Sequence, residues 1–155
     1  MAFPANLSGA NNPSPAKEGT NPGENQMITD ARDAEKYVEC YSSIESPQVR
    51  EAFCMLVGAI CAMSNYDCAP MSQGEMKRTI GIFSASDGSC PFSFVSSHNW
   101  LLFHFRLPSF KTEHHSIKAL SAEFGEVNDK PDGEWTIKLR SVDDVRRLLR
   151  IINIS

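Results

Sequence analysis

The sequence lacks a long apolar run and a secretory signal. The longest uncharged stretch in its helical part covers 52–66, and the apolar portion of that stretch ends at Met63. A membrane-spanning helix needs about 20 apolar residues. The first 26 residues carry Lys17 as their single positive side chain and hold no apolar run of the kind a signal peptide needs. We therefore expect a soluble, cytoplasmic protein that has no membrane partner.

A strong charge of either sign is also missing. The chain has 155 residues, a formal charge of −4, 41% hydrophobic residues and 22% charged residues, which are ordinary globular values. They exclude a fully disordered chain, a collagen-like fibre and a dense disulfide scaffold, and they argue against a strongly cationic coat protein. The five cysteines, an odd number without a secretory signal, predict reduced thiols. Cys90, next to Pro91 and a turn, is expected to be the most exposed thiol.

Residues 1–28 differ in composition from the rest of the chain. They hold four of the nine prolines and three of the nine glycines, and their apolar side chains are few and scattered. Such a segment buries too little surface to offset the entropy lost on ordering. The sequence therefore predicts a flexible tail over 1–28, followed by a single α+β domain over 29–155.

Hydrophobic periodicity divides this domain into helices and strands. Ser46-Pro47 marks a helix start, whereas Pro70 and Gly74 indicate a loop over 64–77. In the strongest strand, 99–107, the odd positions from Leu101 onward are apolar and should face the core. The predicted helices cover 30–42, 47–63, 113–124 and 142–152, and the predicted strands cover 79–84, 92–96, 99–107, 126–128 and 134–140.

The predicted fold is α+β, an antiparallel sheet of four to five strands with helices packed on one face and two leading helices. Tight turns between strands imply antiparallel pairing, and the helices are too few for a doubly wound sheet. The second helix is apolar on nearly all sides, Cys54 included, so it should be covered on most of them. The expected core stripe of the first helix consists of Ala31, Ala34, Tyr37, Val38 and Tyr41.

Sequence signatures of the common catalytic and cofactor sites are missing. The chain has neither C-x-x-C nor H-E-x-x-H, and the spacing of Cys61, Cys68, His104, His114 and His115 fits no zinc motif. Glycine-rich phosphate loops and nucleophile motifs are absent as well. We therefore expect no catalytic residue, no metal and no cofactor.

One predicted surface combines basic side chains with an aromatic ring. Strand alternation places side chains of the strands 99–107 and 134–140 on the sheet face opposite the helices. If the two strands are neighbours, that face can contact phosphates or stack a base. The same pattern also describes the solvated side of a half-buried sheet. The candidate binding residues are Trp100, His104, Arg106, Lys138 and Arg140.

The second half of the chain resembles the YjbR/MmcQ-like group of small α+β domains. In that group, a strand-rich middle is followed by a strand with a leading tryptophan and by a terminal helix. Here the corresponding segments are 78–84, 100–106, 135–139 and 142–155, about half of the chain. The resemblance implies a compact sheet–helix fold that binds DNA or a protein partner, with no catalytic residues to carry over.

Three functions from different classes stay open. Small size, mild acidity and the lack of a catalytic motif favour a non-enzymatic protein-binding module, such as an adaptor, inhibitor or immunity-type protein. A nucleic-acid-binding accessory protein that uses the outer sheet face is the first alternative. An enzyme whose site is assembled only in three dimensions is the second. The expected partner is thus another protein, with nucleic acid as the alternative.

Overall fold

The computed structural model describes residues 31–71, 78–106 and 116–152. The predicted tail over 1–28 lies outside these residues, as do Leu107, His114 and His115. Within the described residues the chain forms four helices and one six-stranded sheet. In chain order the elements are α1 (Ala31–Ser42), α2 (Pro47–Ala62), β1 (Tyr66–Met71), β2 (Thr79–Ser84), β3 (Phe92–Ser96), β4 (Leu101–Phe105), α3 (Ile117–Phe124), β5 (Asn128–Asp129), β6 (Trp135–Leu139) and α4 (Val142–Ile152).

The sheet has the strand order β1-β2-β3-β4-β6-β5, and every neighbouring pair is antiparallel. The first four strands form a meander of adjacent hairpins, and β6 then pairs with β4 while β5 takes the far edge. This arrangement confirms the predicted α+β class with two leading helices. In the part of the chain that the structure describes, no helix is long and apolar enough to cross a bilayer.

The prediction of a loop over 64–77 was wrong for its first half, because β1 forms there. This strand brings the sheet to six strands instead of four to five. Pro70 lies inside β1 and opposes Ile80 of β2. A proline cannot donate to a central ladder, but it is tolerated in an edge strand such as β1. Pairing with β2 therefore outweighs the local turn signal in this segment.

One face of the sheet packs against the helices and forms the core. Phe103 of β4 is fully buried, and its ring centroid lies 5.7 Å from that of Phe92 and 5.1 Å from that of Phe105. The apolar alternation predicted for this strand is thereby confirmed. All four helices contribute to the same cluster, α3 through Leu120. The inward strand residues include Ile80, Ile82, Phe92, Phe94, Leu101, Phe103, Phe105, Ile137 and Leu139.

The buried face of α1 is rotated from the predicted stripe. Tyr37 and Cys40 are buried, whereas Val38 is 63% exposed and Tyr41 is 38% exposed. Spacings of three and then four residues continue the buried face to Ile44, which follows the helix and is fully buried. A cysteine such as Cys40 is a weak signal in a hydrophobic pattern. The predicted stripe therefore follows the larger side chains next to it.

The second helix begins as predicted, with Ser46 as its N-cap. The Ser46 hydroxyl accepts a hydrogen bond from the Val49 backbone N–H at 3.5 Å, and Pro47 occupies the first turn. The predicted cover of α2 does not extend to Cys54, which is exposed, although Cys61 is buried. Cys54 is therefore more exposed than Cys90, which is half-buried. An apolar residue count does not show which side of a helix a small domain leaves uncovered.

The last helix has the predicted bounds, and its start explains them. The Ser141 hydroxyl accepts from the Asp144 backbone N–H at 3.2 Å, and an Asp144 carboxylate oxygen accepts from the Arg140 backbone N–H at 2.7 Å. The first bond satisfies a donor that an uncapped first turn leaves unpaired, and the second ties the residue before Ser141 to that turn. The cap fixes α4 directly after β6, where α4 packs on the core through Val145 and Leu148.

Candidate functional site on the outer face of the sheet

The predicted binding residues come from β4, β6 and their flanks, and these strands are neighbours in the sheet. Leu102 lies opposite Lys138, and His104 lies opposite Thr136. Side chains two residues apart on a strand share a face. The candidate residues therefore belong to the face opposite the core, here called the outer face: Trp100, His104, Arg106, Lys138 and Arg140.

One end of the outer face is built around Trp100. The Lys138 ammonium nitrogen lies 4.9 Å from the centroid of the Trp100 ring. Lys138 is opposite Leu102, so Trp100 is its diagonal neighbour, within reach of a long side chain. Such cation–π contacts contribute about 0.5–1 kcal/mol at exposed sites. The ammonium group therefore lies over the ring of a half-buried indole.

Arg140 follows β6 at the same end of the outer face. Its side chain is exposed, and its backbone is held by the bond to the Asp144 carboxylate. The first turn of α4 adds Asp143 and Asp144, which pair with Arg146 and Arg147. Acidic groups therefore stand close along the chain to Arg140, and the charge at this end is mixed.

The other end of the outer face is organised by Glu134, which the sequence analysis did not select. One carboxylate oxygen lies 3.1 Å from the His104 Nδ1 atom and 3.9 Å from the Arg106 Nε atom. The second oxygen lies 3.4 Å from the Lys130 ammonium nitrogen. The Glu134 side chain is 18% exposed. A half-buried carboxylate thus sits among three nitrogen-bearing side chains, two of which are permanent cations.

Features of the sequence indicate that Glu134 and Lys130 lie at the outer face. Glu134 precedes Thr136 and Lys138 at a spacing of two, which places it on the same face as the predicted residues. Lys130 is brought back by the turn at Pro131-Asp132-Gly133, where Gly133 has a φ of 83°. The Lys130 backbone N–H donates to the Glu134 carbonyl at 3.0 Å and closes that turn. The sequence prediction selected basic and aromatic residues and therefore missed Glu134, the acidic residue that orders them.

Burial favours the neutral form of the His104 imidazole. Burial lowers its pKa, and the nearby Glu134 carboxylate opposes this without reversing it. The contact with Glu134 makes Nδ1 the hydrogen-bond donor, so that Nε2 carries the free lone pair. That Nε2 atom is buried and has no hydrogen-bond partner in the described structure. His104 therefore adds a buried polar atom to the outer face, and its lowered pKa disfavours a positive charge there.

Ser93 of β3 lies directly opposite His104 on the other side from Thr136. A serine beside a carboxylate-oriented histidine has the residue types of a nucleophile and its base. Ser93 is only 1% exposed and Thr136 only 2%, so neither hydroxyl meets a substrate from solution. Ser93, His104 and Thr136 therefore form a row of polar side chains that pack between neighbouring strands.

Cys90 does not form a nucleophilic centre with this face. Its thiol donates to the Phe92 carbonyl at 3.2 Å, and burial raises its pKa against the opposing influence of Arg106. The reactive form of cysteine is the thiolate, which a raised pKa disfavours. Among the residues that the structure describes, no group of three or more histidine, cysteine or acidic side chains is arranged to hold a metal ion.

An open cleft of about 500 Å³ lies elsewhere, between the start of β1 and the end of β2. None of the predicted binding residues lines it. It is lined by Ser64, Asn65, Tyr66, Ser84, Ala85 and Ser86. Two of its hydroxyl groups contact each other, since the Ser84 and Ser86 oxygens lie 2.9 Å apart.

Comparisons of the chain with protein-family models, with curated proteins and with solved structures found no match. The resemblance to YjbR/MmcQ-like domains therefore stays a prediction. The functional argument depends on the geometry of the outer face.

Proposed function

We propose that this protein is a non-enzymatic protein-binding module whose outer sheet face takes the partner. The observation that carries the proposal is the Trp100–Lys138 pair, a half-buried indole with a cation held 4.9 Å from its ring. Tryptophan is enriched at the centres of protein interfaces, where it buries a large area in a defined orientation. The strands below this pair give it a rigid base.

The charges of the outer face favour a protein over nucleic acid. Glu134 lies within 4 Å of nitrogen atoms of His104, Arg106 and Lys130. Binding to a phosphate backbone depends on uncompensated cations, because its affinity comes largely from displaced counterions. A carboxylate at the centre of the cluster repels that backbone. A protein surface with both charged and apolar groups complements it better.

The partner surface that fits is apolar at its centre and acidic at one side. An apolar group would cover Trp100 and the half-buried Leu102, and a carboxylate would meet Lys138 and Arg140 at the edge. Charged groups at an interface rim set the association rate and the orientation more than the affinity. The tryptophan therefore supplies most of the binding energy in this proposal.

Affinity capture with charge-reversed baits tests this function. The full-length chain is immobilised and exposed to nuclease-treated lysate of the source cells, and recovered proteins are quantified by mass spectrometry. Trp100→Ala removes the main apolar contact, and Lys138→Glu sets a carboxylate against the partner's carboxylate, so each variant should lower the yield of the specific partner at least about tenfold. The matched control is Lys118→Glu, since Lys118 is an exposed lysine of α3, and it should keep the yield. Equal yields from the Lys138→Glu and Lys118→Glu baits would contradict the proposal.

A nucleic-acid accessory function is the second candidate, favoured by the four cations Arg106, Lys130, Lys138 and Arg140 around this face. It is tested with labelled single-stranded and duplex DNA and RNA over a range of salt concentrations. Contacts to several phosphates would give an affinity that falls steeply with salt. We expect no steep dependence. A steep one that Lys138→Glu removes would favour nucleic acid instead.

A further inference from the structure

Cys61 and Cys68 bring two thiols together between a helix and a strand. Cys61 lies in the last turn of α2, and Cys68 lies in the edge strand β1. Their sulfur atoms are 3.7 Å apart, and both residues are 8% exposed. A disulfide bond needs a separation of about 2.05 Å. The two sulfur atoms are therefore already in contact and have to move closer for the bond to form.

Tyr37 of α1 holds one of the two thiols in place. Its hydroxyl donates to the Cys68 carbonyl at 3.0 Å and lies 3.2 Å from the Cys68 sulfur. Three elements, α1, α2 and β1, therefore meet at a polar cluster inside an otherwise apolar layer. A buried free cysteine ordinarily behaves as a small hydrophobe, and a pair ordered by a tyrosine hydroxyl is a more specific arrangement.

We propose that Cys61 and Cys68 are a dithiol modification site, oxidised to an intramolecular disulfide by a low-molecular-weight disulfide such as glutathione disulfide. The oxidised bond would tie the edge strand β1 to the end of α2. The site is separate from the outer face, because Cys61 and Cys68 belong to the core cluster. The proposal therefore does not depend on the partner-binding function.

The exchange proceeds in two balanced steps. One protein thiolate attacks a sulfur of the glutathione disulfide, forming a mixed disulfide and releasing one glutathione thiolate. The second protein thiolate then attacks the protein sulfur of that mixed disulfide and releases the second glutathione. Two electrons pass from the protein thiols to the reagent, and the two thiol protons end on the two released glutathione molecules.

Burial makes this reaction slow in the folded protein. Desolvation raises the pKa of the Cys68 thiol to about 12, although the hydrogen bond from Tyr37 opposes the shift. Exchange requires the thiolate and access to its sulfur, so it waits for local opening at β1. Cys54 is exposed and should form its mixed disulfide with glutathione at least about tenfold faster than the pair closes.

Peptide mapping tests the proposal directly. The full chain with Cys54→Ser is incubated with glutathione disulfide under native conditions, free thiols are then blocked, and the protein is cleaved after Arg50 and Lys77 and before Asp67. These cuts put Cys61 alone in fragment 51–66 and Cys68 alone in fragment 67–77. We expect the two fragments to be recovered as one linked species that a reducing agent separates.

The control is the same chain with Cys61→Ser in addition. It should leave Cys68 as a blocked thiol or a glutathione adduct, with no linkage to another cysteine. The chain that keeps Cys61 must stay folded, as circular dichroism will show. If its fragment 67–77 is nevertheless recovered unlinked, the proposal is overturned. Linkage that appears only after denaturation with urea would overturn it as well.

Discussion

The two faces of the same sheet are built from different chemistry. On the inner face, Phe103 and its neighbours are fully buried among helices, and their rings contact one another. On the outer face, Trp100, His104 and Glu134 are half-buried, and their order comes from polar and cation–π contacts. The inner face determines whether the chain folds. We propose that the outer face recognises the partner, and we expect substitutions there to cost less stability than substitutions on the inner face.

The largest expected effect comes from truncating the inner face. Phe103→Ala should lower the free energy of unfolding by about 3–5 kcal/mol, because it opens a cavity where no side chain can move in freely. Urea denaturation followed by circular dichroism measures the change. Leu102→Ala is the matched control on the outer side of the same strand, and it should cost under about 1.5 kcal/mol. Similar losses for the two variants would remove the contrast between the faces.

A smaller effect is expected at the Glu134 end of the outer face. Glu134→Gln removes the charge that His104, Arg106 and Lys130 share, and it should cost about 1–2 kcal/mol of stability, the usual range for a charged hydrogen-bond partner. Glu126→Gln, at an exposed position after α3, should leave the unfolding free energy within about 0.5 kcal/mol. Equal losses for both variants would show that Glu134 does not order the face.

The cation–π contact predicts a still smaller change. Lys138→Ala should lower the unfolding free energy by under about 1 kcal/mol, since a half-exposed contact of this kind contributes no more. Tryptophan fluorescence during denaturation provides the measurement. A loss above about 2 kcal/mol would mean that Lys138 is part of the structural core, and the outer face could then not vary independently of the fold.

The smallest expected effect is a pH dependence at His104. Burial lowers its pKa and Glu134 opposes the shift, so the unfolded chain binds this proton more readily than the folded chain. Stability from this group is complete above the ordinary histidine value of about 6.5 and is lost as the pH falls below it. His104→Gln should reduce the change of the unfolding free energy between about pH 5 and 7. The control variant His98→Gln changes an exposed residue, and its unfolding free energy should keep the steeper dependence on pH. Parallel curves for both variants would contradict this.

Much of the fold could be predicted from short-range pattern. The strands at 79–84 and 92–96 and the helix at 142–152 have the predicted bounds, because alternation, Ser141 and the intervening turns act locally. The strand β1 could not be predicted in this way. Its pairing with β2 joins residues across 72–77, and the proline inside it gives the opposite local signal.

The candidate site was predictable in its positions and less so in its chemistry. Strand alternation correctly grouped Trp100 with Lys138, because neighbouring antiparallel strands bring those positions together. It gave no account of charge compensation, since Glu134 was considered only as the start of a strand. Whether a basic side chain is available to a partner depends on which acid reaches it in space, and a sequence pattern does not contain that distance.

The central claim is that the outer face binds a partner and contributes little to folding. The most direct measurement compares, for Lys138→Glu and Lys118→Glu, the unfolding free energy and the yield of captured partner. We predict that Lys118→Glu stays within about 0.5 kcal/mol of the unchanged chain, that Lys138→Glu loses no more than about 1 kcal/mol with its cation–π contact, and that only Lys138→Glu loses the partner. Retention of the partner by a stable Lys138→Glu protein would contradict the claim.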